Sequence, residues 1–184
     1  LIFLSPVLFV VAVLIKVKMP GGPVIFKQRR VGQYGKLFTM YKFRSMEQQT
    51  EADEKKAWTV KNDPRVTPIG KLIRRTSLDE LPQLFNIIKG DMSLVGPRPE
   101  RPEIAAEYCK EIPEFDYRLK VLAGLTGYAQ IYGKYNTTPY DKLKMDMMYI
   151  ENYSVFKDIQ LLFQTAIVLL KSDSTEAFSG KKDK

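Results

Sequence analysis

The sequence predicts an α+β fold, mostly helical and membrane-associated, with one small β-hairpin and a bent, re-entrant helix at its N-terminal end. Three observations carry this reading. Residues 1–15 are apolar except for Ser5 and Pro6, and Lys16 and Lys18 close the run. Two strand-like stretches flank the turn Gly32-Gln33-Tyr34-Gly35. Further on, apolar residues recur at the three-four spacing of amphipathic helices.

At 184 residues the chain can bury one good core, and a 45% hydrophobic, 27% charged composition is that of a folded protein. One domain is expected over 1–184, with 1–18 the remainder of a re-entrant membrane helix, 19–171 the body and 172–184 a flexible Lys-rich tail. The net charge of +8 suits nucleic acid, an anionic membrane face or phosphate-bearing substrates. No nucleic-acid motif or aromatic-basic platform accompanies it, so no nucleic-acid partner is expected. A single cysteine, Cys109, excludes an internal disulfide and a Cys-based zinc site, and the lack of histidine excludes Ser-His and Cys-His nucleophiles. Acid, base or metal chemistry must therefore use Asp, Glu, Lys, Tyr or Arg.

As a helix the first run reaches about 22 Å, short of the roughly 30 Å hydrocarbon core of a bilayer. Pro6 removes a backbone donor and disfavours helical geometry at Ser5, which predicts a bend there and a helix that enters and leaves by one face, with a buried core helix, a signal-peptide remnant or the end of a full span as the alternatives. The run opens in mid-pattern, as expected of a helix that starts further upstream. Pro20-Gly21-Gly22-Pro23 ends it. Strands are predicted over Val24–Val31 and Leu37–Met46, the second with Met40, Lys42 and Arg44 on a basic face and Leu37, Thr39, Tyr41 and Phe43 on a packing face. Residues 47–61 are polar, helix or loop, and Asn62-Asp63-Pro64-Arg65 interrupts them. Ile69–Arg75 is a short basic amphipathic stretch, with Ile69, Leu72 and Ile73 on a side that can lie on a membrane.

Ser77-Leu78-Asp79-Glu80 fits a capping box, with Ser77 as N-cap and Glu80 reaching back. Leu81, Leu84, Phe85 and Ile88 then continue as an amphipathic helix, and Gly90 stands where a left-handed terminal residue is wanted. Gly96-Pro97-Arg98-Pro99 fixes a backbone at two prolines and holds one guanidinium whose fork matches a phosphate. Beside such a site Asp79 could attack phosphorus once a divalent cation had screened the repulsion. Mg²⁺ is the expected ion, because carboxylates and substrate phosphates hold it without Cys or His. Spacing alone leaves the plainer alternatives open: capping and dipole complementarity for Asp79 and Glu80, and a surface salt bridge for Arg98.

An ordered set of motifs resembles the bacterial sugar transferases, the monotopic phosphoglycosyl transferases. It runs through Ser5-Pro6, the segment 22–32 (Gly-Pro-Val-Ile-Phe-Lys-Gln-Arg-Arg-Val-Gly), Tyr41-Lys42-Phe43-Arg44-Ser45-Met46, Asp79-Glu80-Leu81-Pro82-Gln83, the segment 90–99 (Gly-Asp-Met-Ser-Leu-Val-Gly-Pro-Arg-Pro), and Gly124-Leu125-Thr126-Gly127. The resemblance implies a re-entrant helix broken at Ser-Pro and interfacial helices around a small strand unit. It also implies transfer of a phosphosugar from a UDP-sugar to undecaprenyl phosphate, through a covalent aspartyl intermediate with release of UMP. In such proteins this primes capsule, exopolysaccharide or glycoprotein glycan assembly at the cytoplasmic face of the bacterial inner membrane.

By position, Asp79 is similar to the family nucleophile and Glu80 to its Mg²⁺-associated neighbour. Arg98 would hold donor phosphate, Pro97 and Pro99 would shape the nucleotide site, and Arg74, Lys42 and Arg44 look like basic residues near the active centre. Asp146 matches an acidic family position, read as metal-associated or acid-base, with a solvent-facing helix carboxylate as the alternative. Tyr149 one turn on reads as core. Val155–Leu170 reads as a final amphipathic helix docked on the body or on lipid, since Lys157, Asp158 and Gln164 interrupt it. The Tyr-Gly-Lys-Tyr-Asn stretch around Lys134 is similar to longer members that carry membrane spans and another domain ahead of this one. Glucose, galactose and acetamido sugars all fit, a homodimer is open to the chain, and the rival reading is a catalytically silent membrane-peripheral scaffold.

Overall fold

Pro6 lies within a helix. In the computed structural model, which describes residues 4–47, 63–133 and 137–170, α1 runs Ser5–Lys18 with Pro6 in its first turn. In the first turn of a helix a proline's missing N–H costs no intrahelical bond. A bend at Ser5-Pro6 would need helix on its N-terminal side, and residues 1–3 lie outside the described part. No helix among the described residues is long and apolar enough to cross a membrane. One side of α1 buries Val11 and Ile15 with Met19, against Phe43 and Ile73. Its other side leaves Phe9, Val10 and Val17 exposed.

The predicted hairpin is present. β1 (Ile25–Val31) pairs antiparallel with β2 (Leu37–Phe43) from Ile25↔Phe43 to Val31↔Leu37. A one-turn 3-10 segment, Gln33–Gly35, joins them, with Tyr34 and Gly35 left-handed at φ 54° and 75°. The expected basic face of β2 is corrected by its packing. Met40 is core, with Phe38 and Met92. Arg44 is buried, and its guanidinium donates to the Met19 carbonyl at the end of α1. Of the three residues on that face, Lys42 is the one that pairs with a carboxylate, that of Glu80.

α2 (Pro68–Arg75) is capped by Thr67, whose hydroxyl oxygen accepts from Gly70 N at 3.0 Å. Ile73 packs into the α1 cluster, with Ile69 beside it, so the side expected to face a membrane faces the core, and only Leu72 of the three is exposed. The polar stretch 48–61 lies outside the described residues, as does the tail 171–184.

A second sheet has no counterpart in the sequence reading. β3 (Met92–Val95) pairs parallel with β4 (Ala123–Thr126). A parallel pair needs a long crossover, supplied by α4 (Pro102–Glu111) and the 3-10 helix Pro113–Lys120. α3 (Gln83–Ile88) precedes this unit. After it come α5 (Tyr128–Tyr132), α6 (Pro139–Glu151) and α7 (Val155–Leu170). α7 has the predicted bounds. It inserts Leu161 beside Val95 and Tyr149 and exposes Phe156 and Phe163. Tyr149 is core as expected: its hydroxyl donates to Asp158 Oδ1 at 2.9 Å and lies 3.3 Å from the Val95 carbonyl. The α+β class is therefore as predicted, with two small sheets where one hairpin was expected.

Candidate active site

Ser77 caps no helix. It is left-handed, at φ 53° and ψ 17°, and its side chain makes no capping bond; Leu78–Glu80 is a single 3-10 turn. Helix α3 begins only at Gln83, after Pro82. A non-glycine residue in the left-handed region is a strained position that surrounding structure must hold. Here it turns the chain so that Asp79 is buried at 8% exposure. The Glu80 side chain, expected to reach back to Ser77, instead reaches two cations.

Those cations come from separate elements. Lys42 Nζ on β2 lies 3.0 Å from Glu80 Oε1. Arg98, on the loop after β3, straddles the same carboxylate, with Nη2 to Oε1 at 2.5 Å and Nη1 to Oε2 at 3.4 Å. Burial alone would raise the Glu80 carboxyl, but Arg98 and then Lys42 overcome it and hold it well below the usual carboxylate range. Asp79 goes the other way. Burial pushes it up to about 6, Glu80 adds to the rise, and Lys42, Arg74 and Arg98 oppose it. Lys42 itself is lowered, first by burial and then by Arg98. Arg98 keeps 40% of its side chain exposed.

The reversed faces of α3 explain how this turn is anchored. The helix was expected to bury Leu84, Phe85 and Ile88, yet Gln83 and Asn86 are buried and Phe85 and Ile88 are exposed. The reason lies on β2, whose second edge has no partner strand among the described residues. Asn86 supplies one: its Oδ1 accepts from Tyr41 N at 3.1 Å and its Nδ2 donates to Thr39 O at 2.7 Å. An amide can bond both ways at an open edge where a leucine would leave it unsatisfied. Gly90, at φ 79°, ends α3 as predicted, with Gly90 N to Ile87 O at 3.0 Å and Asp91 N to Asn86 O at 2.9 Å.

The structure thus brings Asp79, Glu80, Lys42 and Arg98 together. Arg74 is near enough to lower the Asp79 carboxyl, and its Nε donates to Ser45 Oγ at 2.8 Å. Arg44 is turned to α1 instead. Asp146 is not solvent-facing; it is 1% exposed and paired with Arg118 Nη2 at 2.7 Å. Pro97 and Pro99 flank Arg98, where glycines permit a close crossing: a Cβ on Gly124 would fall 2.1 Å from Gly96 N. Sequence reasoning missed Arg118 and Asn86. In -Asp-Tyr-Arg-Leu-Lys- and -Leu-Phe-Asn-Ile-Ile- nothing marks a polar side chain as internal.

Among the described residues no three Asp, Glu, Cys or His side chains gather to hold a metal. The available carboxylates are Asp79 and a Glu80 already matched by two cations. That donor set fits an ion that brings most of its oxygen ligands with a phosphate substrate, as Mg²⁺ does.

The family model described as "Bacterial sugar transferase" matches residues 1–172. The chain is 44% identical over 173 residues to the undecaprenyl-phosphate galactose phosphotransferase of Salmonella typhimurium, covering 86% of this chain and 36% of that protein. It is 44% identical over 170 residues to the UDP-glucose:undecaprenyl-phosphate glucose-1-phosphate transferase of Escherichia coli, covering 90% and 36%. Against the "Uncharacterized sugar transferase EpsL" of Bacillus subtilis it is 40% identical over 185 residues, covering 96% and 88%. The chain thus spans little more than a third of the first two relatives and most of the third. With this match over nearly its whole length, the chain belongs to the bacterial sugar transferase family.

Proposed function

We propose that this chain transfers a phosphosugar from a UDP-sugar to undecaprenyl phosphate, as the priming step of capsule or exopolysaccharide synthesis, with Asp79 as nucleophile. In the first step an Asp79 carboxylate oxygen bonds to the sugar-bearing phosphorus. The bond from that phosphorus to the bridging oxygen breaks, and its electron pair leaves with UMP. In the second, an oxygen of the lipid phosphate bonds to the same phosphorus and the Asp79–phosphorus bond breaks, restoring the carboxylate.

One observation carries the reading. Of two adjacent carboxyl groups, Glu80 is held by Lys42 and Arg98, while Asp79 accepts no hydrogen bond among the described residues and sits at about 6. A nucleophile must be ionised at working pH yet not tied up by a donor, and Asp79 meets both conditions. Arg98 and Lys42 supply positive charge where a diphosphate would develop negative charge on cleavage. Mg²⁺, held by Asp79 and Glu80 beside the donor phosphates, would supply further charge neutralisation.

Exposed apolar side chains on α1, α3 and α7, with Lys16 and Lys18 closing α1, suit a chain lying at the cytoplasmic face of the bacterial membrane, where lipid phosphate is met. Release of UMP by the purified chain with UDP-glucose, UDP-galactose or an acetamido UDP-sugar, undecaprenyl phosphate and Mg²⁺ tests the proposal. No release from folded protein with any of these donors defeats it.

A further inference from the structure

Pro97 and Pro99 have no N–H, so the loop that carries Arg98 has few donors of its own with which to fix its shape. Its carbonyls are fixed from outside. Gly124 N donates to Pro97 O at 2.9 Å, and Val31 N donates to Glu100 O at 3.0 Å. Between them, Arg118 Nη2 donates to Arg98 O at 2.8 Å, and Arg30 Nη1 donates to Pro99 O at 2.9 Å. Consecutive carbonyls from 97 to 100 are therefore each held by a separate donor, two of them guanidinium groups.

The Arg118 clamp is the more deeply set. Its side chain is 3% exposed and that of Asp146 is 1%. Asp146 Oδ2 accepts from Arg118 Nε at 2.9 Å and lies 2.7 Å from Nη2, so the guanidinium that holds the Arg98 carbonyl is itself oriented by Asp146. Glu100, paired with Lys142 Nζ at 3.3 Å, lies 4.0 Å from Arg118 Nη1 on the other side. Arg118 is thus held on one side by Asp146 and on the other by the Arg98 carbonyl, and it touches the site through the backbone it holds.

We propose that Arg118, oriented by Asp146, is a positioning residue for phosphosugar transfer: it fixes the Arg98 carbonyl and thereby aims the Arg98 guanidinium at Glu80 and at the donor diphosphate. The inference rests on the reading in which Arg98 holds donor phosphate. It gives Asp146 a role two links from the chemistry, in place of metal binding or proton transfer. Lysine at 118 would keep the charge beside Asp146 but lacks the planar fork needed to hold Asp146 and the carbonyl at once.

The test is UDP affinity of the full chain, by titration calorimetry, for the unsubstituted protein, Arg98→Ala, Arg118→Lys and the double variant, with thermal melting alongside. Arg118→Lys is expected to weaken UDP binding roughly tenfold, the scale of one charge-assisted hydrogen bond. In the Arg98→Ala background the same change should add no more than about twofold, since the two act as a unit. A folded Arg118→Lys protein with unchanged UDP affinity overturns the inference, as does a double variant whose loss is the product of the single losses. If Arg118→Lys does not fold, Arg118→Met with Asp146→Met removes the clamp without leaving a buried charge, and the same outcomes apply to it. Lost binding in Arg98→Ala with intact binding in the Arg118 variants overturns this inference and leaves the parent reading standing. No UDP binding by the unsubstituted chain overturns both.

Discussion

Asp79 and Glu80 are neighbours in the chain whose carboxyl groups are driven in opposite directions, Asp79 up to about 6 and Glu80 well below its ordinary value. The difference is one of partners. Both are largely buried, but only Glu80 receives Lys42 and Arg98. Two adjacent acids given distinct environments can take distinct roles, one fixed as an anion and one left reactive.

Removing the charge at Asp79 should stabilise the fold while abolishing transfer. Its folded value of about 6 lies above the ordinary 3.8, so the native state binds more protons than the unfolded chain between those pH values. Its contribution is complete below pH 4 and is lost as pH rises through 6, and the ionised group at pH 7 then costs up to about 3 kcal/mol. Asp79→Asn should therefore melt several degrees higher at pH 7, with the gap closing toward pH 4. Equal melting at pH 7 would contradict the burial assigned to Asp79.

Glu80→Gln should do the reverse. It leaves Lys42 and Arg98 facing each other without their shared anion, and loss of a partly buried partner of this kind costs about 3 kcal/mol. Because the Glu80 value is depressed, its contribution is present above the ordinary carboxylate range and is lost on acidification. Chemical denaturation at pH 7 and pH 4 should show a large destabilisation at the first and a smaller one at the second.

With Asp79 as the proposed nucleophile, transfer would need it ionised, so kcat/KM for the UDP-sugar should fall on the acid side with an apparent midpoint near 6. Replacing Arg74, which lowers the Asp79 carboxyl, by Met should move that midpoint upward. A pH profile flat between 5 and 7 would remove Asp79 from the rate equation.

Gly70→Ala tests how α2 is seated on the strand that carries Lys42. A Cβ there would fall 1.8 Å from the Ser45 carbonyl oxygen, a backbone atom that cannot swing away. Destabilisation of about 3 kcal/mol is expected in denaturant melts, with loss of the Arg74–Ser45 contact.

What could be read from residues alone followed the range of the interactions involved. α7 and the hairpin were legible because their periodicity and turn residues are local. Ser77 misled because the capping pattern records spacing, whereas the left-handed turn at Ser77 and Pro82 delay the helix to Gln83. The facing of α3 inverted because the rule that apolar residues point inward assumes an apolar neighbour, and this neighbour is an open strand edge that Asn86 completes. β3 and β4 are four residues each and pair only through a long crossover, so neither has a period to detect. At the candidate site, Asp79, Glu80, Lys42 and Arg98 were all named in advance. Arg118 was not, because burial of an arginine against Asp146 is a tertiary fact with no local trace.

The proposed covalent bond between Asp79 and a phosphosugar is directly visible to intact-protein mass spectrometry. The chain is mixed with a UDP-sugar and Mg²⁺ in the absence of lipid phosphate. A mass increase equal to one sugar phosphate is expected on the unsubstituted chain, localised to the peptide containing Asp79, discharged by undecaprenyl phosphate and absent from Asp79→Asn. The same increase on a folded Asp79→Asn chain, or turnover with no adduct at any time, would contradict it.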